Sequence, residues 1–134
     1  MSGTRVPFNR DYLFLRIDPK VPFDEFGEDA EFSIFISQPA ETRINCPVKG
    51  EHIKGVLYGR VGDDWKETGE VADASVRDIF EIGVPFRSLG AAEKDEVHLF
   101  VSLTRKGEEI ERCPWRGYIK VIVPTENFEA MMWY

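Results

Sequence analysis

Enzymatic chemistry needs a nucleophile, a proton donor and acceptor, or a cage of metal ligands, and this chain offers few side chains able to supply them. His52 and His98 are its only 2 histidines, so a histidine-rich metal site is ruled out by number and a Ser or Cys triad would have to use one of them. Cys46 precedes His52 closely enough to be considered as a nucleophile and base. No local signature marks the pair, and the ordinary reading is a packed thiol and a solvated imidazole. Met131 and Met132 sit beside Phe128 and Trp133, where they read as hydrophobic filler rather than haem ligands. Glycoside hydrolysis needs two carboxylates flanking a bond. With 24 acidic residues gathered in turns, solvated loop charge is the simpler reading and no pair stands out. The segment from Asp18 to Glu31 is rich in carboxylates that could ligate calcium, but it lacks the twelve-residue calcium-loop pattern. The expectation is a chain with no catalytic residue, no metal and no cofactor.

The aromatic residues suggest binding instead. Sugars present flat C–H faces that stack on Trp and Tyr. Tyr58 on a strand, Trp65 just after a hairpin and Trp115 beside Pro114 in a loop are the candidate carbohydrate-binding residues. A Trp in a β-sandwich also commonly fills the core or covers a sheet end. Both readings stand at the level of sequence.

Short alternating strands must position these side chains. Tyr12–Ile17 reads as an interior strand closed by Asp18-Pro19, and Glu31–Gln38 alternates with Phe32, Ile34 and Ile36 on one face and Ser33, Phe35 and Ser37 on the other. Thr42–Cys46 and Val56–Val61 are two further strands, with His52 in the loop between them. Gly62-Asp63-Asp64 signals a hairpin with Trp65 on the returning strand. Val76–Val84 alternates as one strand, and Val97–Leu103, Glu109–Cys113 and Tyr118–Val123 complete the set. The last ten residues fit a helix face, through Phe128, Met131 and Met132, or a strand face, through Phe128, Ala130 and Met132. About nine short strands with turn residues between them and no helical period predict an all-β, antiparallel β-sandwich.

The 134 residues suit one domain spanning residues 1–134. A net charge of −7 argues against a nucleic-acid surface, which works through basic side chains that displace counterions. No apolar run approaches a membrane span, and Met1–Pro7 lacks the apolar core of a signal peptide, which predicts a cytoplasmic protein. Cys46 and Cys113 belong to no paired motif. They read either as reduced, packed thiols or as one buried disulfide.

The run Glu81, Val84-Pro85-Phe86 and Leu89-Gly90, followed by Asp95-Glu96-Val97 and Leu99-Phe100-Val101, resembles the signature of domains related to carbohydrate-binding module family 9 and the DOMON superfamily. The opening Leu13–Asp18, the stretch Glu111–Ile119 and the ending Phe128–Trp133 are similar to the C-terminal part of bacterial glycoside hydrolase family 57 proteins, an accessory module like the C-terminal domain of glucodextranase. The resemblance implies a jelly-roll-like, DOMON-like sandwich that follows an α-glucan-active catalytic domain. It implies no catalytic residue in this chain, because that family keeps its nucleophile and acid on a separate, larger barrel. The implied partners are α-glucan or an oligosaccharide and a catalytic domain in the parent chain. A structural or protein-interaction module without sugar affinity is the alternative.

Overall fold

Alternation of apolar and polar side chains sets the strands, and the computed structural model describes residues 3–5, 11–18, 29–76 and 79–124. They run β1 (Gly3–Arg5), β2 (Tyr12–Asp18), β3 (Ala30–Gln38), β4 (Thr42–Pro47), β5 (His52–Val61), β6 (Asp64–Val76), β7 (Phe80–Pro85), β8 (Glu96–Arg105), β9 (Glu108–Cys113) and β10 (Ile119–Ile122). All pair antiparallel in the order β1-β2-β7-β6-β5-β4-β3-β8-β10. The outer edge of β8 is shared, with Glu96–Leu99 paired to β10 and Val101–Arg105 paired to β9. The all-β antiparallel expectation therefore holds.

One ring pair shows how this sheet closes. Phe32 of β3 stacks on Phe80 of β7 with ring centroids 4.2 Å apart, although β4, β5 and β6 lie between those strands. In a flat sheet, four strand spacings would hold them about 19 Å apart. The sheet must curl until its halves face one another, giving a sandwich-like arrangement whose two layers belong to one continuous sheet. Leu13, Leu15, Ile34, Ile44, Leu57, Ile82, Leu99 and Leu103 fill the space between, all buried in one cluster.

Two strand boundaries depart from the sequence reading. Val76–Val84 is not one strand: Val76 ends β6, Phe80 begins β7, and the two residues pair across the turn. Because paired residues share a face, the apolar alternation passes through this turn without changing phase. His52 lies on β5 rather than in a loop. The long β6 was hidden by its own polarity, since Lys66-Glu67-Thr68-Gly69-Glu70 has no apolar side chain and lies exposed.

The turns follow their residues. Lys106 and Gly107 join β8 to β9 with φ of 52° and 81°, the double left-handed conformation of a tight hairpin. After Pro85, Phe86–Leu89 makes one 3₁₀ turn that buries Phe86 and Leu89, and Gly90 ends it at φ 69°. Val84, Phe86 and Leu89 of the resemblance motif thus pack into the core at and just beyond the end of β7. Among the described residues no helix is long and apolar enough to cross a membrane. The candidate helix or strand over the last ten residues, and residues 19–28 of the acidic segment, lie outside the described residues.

Candidate functional site

The sheet face turned away from the core carries a row of rings and guanidinium groups. Strand register places Phe100, Phe35, Arg43, Tyr58 and Glu67 directly opposite one another across β8, β3, β4, β5 and β6. Phe35 and Phe100 stack at 4.9 Å with 18° between their planes. Arg112, from β9, sets its guanidinium 3.8 Å from the Phe100 centroid. Trp65 pairs with Arg60 and so lies diagonal to Tyr58 on the same face.

Arg43 joins the two aromatic candidates. Its guanidinium carbon lies 5.3 Å from the Tyr58 ring and 5.5 Å from the Trp65 ring. Arg60 approaches Trp65 from its own strand at 5.4 Å, held by a hydrogen bond from its Nε to the Gly62 carbonyl at 3.1 Å. Its Nε also lies 3.9 Å from the Glu41 carboxylate. Cation–π attraction of about 0.5–1 kcal/mol each at such exposure orders the rings. The Arg43 Nε is buried and has no hydrogen-bond partner.

Tyr58 and Trp65 are therefore brought together, and Trp115 is not. Trp115 follows β9 on the edge beyond β8, with β8, β3 and β4 between it and β5, and is 76% exposed. Near that edge His98 stacks on Tyr118 at 4.3 Å. The Glu96 carboxyl there is held below its ordinary pKa, chiefly by a hydrogen bond from Lys120 and also by His98. Sequence reading placed Phe35 on the non-core face but missed Arg43, Arg60 and Arg112 as its companions. Only the register of β3, β4, β5 and β8 brings them into one row.

The residues weighed for catalysis do not assemble. Cys46 is wholly buried in the core while His52 is exposed on the opposite side of the sheet, so the proposed nucleophile and base are separated by the sheet itself. Burial, with Glu31 adding to it, pushes the Cys46 thiol up to about 12, leaving a neutral group that is a poor nucleophile. Neither Cys46 nor Cys113 is joined in a disulfide in this structure. Glu81, in the resemblance motif, faces Arg16 at 3.3 Å and has Arg16 and Ser75 as its strand partners, so no second carboxylate stands opposite it. Among the described residues, no three His, Cys, Asp or Glu side chains come together to hold a metal ion. What the row can do is present ordered rings beside N–H donors. No protein-family model, curated protein or solved structure matches the chain.

Proposed function

We propose that the chain is a non-catalytic accessory module of a cytoplasmic carbohydrate-active enzyme of the glycoside hydrolase family 57 type, and that its non-core face binds α-glucan weakly through Tyr58 and Trp65. The observation that supports this most is the meeting of those two rings around Arg43. Rings ordered before binding lose little freedom when a sugar stacks on them, and the adjoining guanidinium groups donate to its hydroxyls. Affinity electrophoresis in gels containing amylopectin or glycogen tests the reading. The native chain is retarded, and Trp65→Ala or Tyr58→Ala weakens that retardation about tenfold, equivalent to about 1.4 kcal/mol. Equal mobility with and without polysaccharide overturns it.

A specific observation favours the alternative of a protein-interaction module. Trp115 and Tyr118 are 76% and 56% exposed in the loop leaving β9, where large rings suit a partner surface. On this reading they pack against the catalytic domain of the parent chain. Trp115→Ala then weakens capture of that domain supplied separately and leaves glucan retardation unchanged.

A further inference from the structure

A concavity lies on the same face of the sheet as the row of rings but on its other half, over β2, β7, β6 and β5. Its volume is about 440 Å³, within the roughly 300–1,000 Å³ of small-molecule sites. Register explains why there is a hollow. One row reads Phe14, Gly83, Asp73, Lys54, and the next reads Arg16, Glu81, Ser75, His52. The small residues Gly83 and Ser75 sit diagonally at the centre, and longer side chains surround them. Phe14 forms the apolar wall: a Cβ on Gly83 would come 2.8 Å from the Phe14 ring, so the ring lies directly against the glycine. Tyr12 extends that wall, stacked on Phe14 at 5.7 Å.

The charges decide what can enter. The guanidinium of Arg16 meets Glu81 at 3.3 Å, and Lys54 meets Asp73 at 2.6 Å. Each carboxylate bordering the hollow already has its cation. An anion entering beside Arg16 or Lys54 is repelled by the neighbouring Glu81 or Asp73, and a cation entering beside Glu81 or Asp73 is repelled by Arg16 or Lys54. A neutral ligand with hydroxyl groups can accept from the cations and donate to the carboxylates without breaking either pair. Ser75 and His52 add further polar positions, and Phe14 offers one flat apolar surface.

We propose that this hollow is a binding site for a neutral polyhydroxylated ring of pyranose size. It stands independently of the glucan reading, because it uses none of the residues of the Tyr58–Trp65 row. Amide NMR titration of the native chain with the methyl pyranosides of glucose, galactose and mannose tests it. At least one of them shifts the amides of Arg16, Asp73, Ser75 and Glu81, saturating with a Kd on the order of 1–10 mM. Phe14→Ala, which removes the wall, and Ser75→Tyr, which fills the hollow, each weaken binding at least about tenfold. Retained dispersion of the other amides shows that the variants fold, and Ser75→Tyr decides the matter if Phe14→Ala does not. The assignment is overturned if those four amides stay unmoved to about 100 mM, if neither variant weakens the shifts, or if glucuronate binds tenfold more tightly than the neutral sugars. Amides of Tyr58 and Trp65 appear in the same spectra, so either site can fail without the other.

Discussion

Cys46 separates closeness in sequence from closeness in chemistry. It precedes His52 by a few residues, yet the turn between β4 and β5 leaves the thiol in the core and the imidazole outside. Nothing in the residue types announces this, because the number of residues in the turn sets which face β5 turns inward. Burial has a measurable consequence at this residue. With the folded thiol raised from 9.0 to about 12, the unfolded chain ionises first as pH rises, and the folded chain holds its proton. The contribution is fully present below pH 9.0 and is lost as pH climbs toward the folded value, at about 1.4 kcal/mol per pH unit. Urea unfolding between those two values should therefore show a steeper alkaline loss of stability in the native chain than in Cys46→Ala. Equal slopes would show that the thiol is more open to water than its packing indicates. The same packing makes Gly55 necessary: a Cβ there would lie 2.9 Å from both the Cys46 Sγ and the Ile44 Cγ2. Gly55→Ala should destabilise the fold by about 1–3 kcal/mol in the same assay, since a buried strand has little room to move.

Strands were legible where one face is apolar and hidden where neither is. The alternation of Leu13, Leu15 and Ile17, or of Phe32, Ile34 and Ile36, marks β2 and β3 directly. The first part of β6 gives no such signal because it covers no core. Its residues Asp64–Glu67 and Val71 pair with β5 alone, with Thr68–Glu70 in the register shift between them, whereas Asp73–Val76 lie between β5 and β7. This part of the β5–β6 hairpin is an arm with one neighbour, paired to β5 and braced by Trp65 against the guanidinium groups of Arg43 and Arg60. The candidate site was half legible for the same reason. Ring types pointed to Tyr58 and Trp65, but an arginine on a polar face looks like any solvated charge until register sets it beside a ring. Local opening should follow pairing. Hydrogen exchange measured by NMR is expected to find the amides of Lys66–Glu70 protected at least about tenfold less than those of β3, with Trp65→Ala lowering them further. Protection equal to that of β3 would mean that the outer edge of β6 is covered.

At the scale of the whole molecule, the decisive contact joins elements that are distant in both sequence and sheet order. Alternation could assign Phe32 and Phe80 to a buried face each, but it carries no information about which two buried faces meet. That is set by accumulated strand twist and by the bends at irregular pairings, such as the register shift between Val56 and Tyr58. Once the sheet has curled, the two rings lie nearly parallel, 5° apart in plane, and fully buried. Removing one leaves a cavity between the two halves that neither can fill alone. Phe80→Ala is therefore expected to cost about 3–5 kcal/mol in urea unfolding. Phe35→Ala, which truncates a ring of the outer row, should cost about 1 kcal/mol, the scale of an aromatic pair on a partly open face. Because one core serves both halves, far-ultraviolet circular dichroism and NMR signals from β2 and β8 should lose structure at the same urea concentration in either variant. If Phe80→Ala instead melted β2 and β7 before β3 and β8, the halves would be separable units. The Phe32–Phe80 stack would then be a contact between two sheets rather than the closure of one.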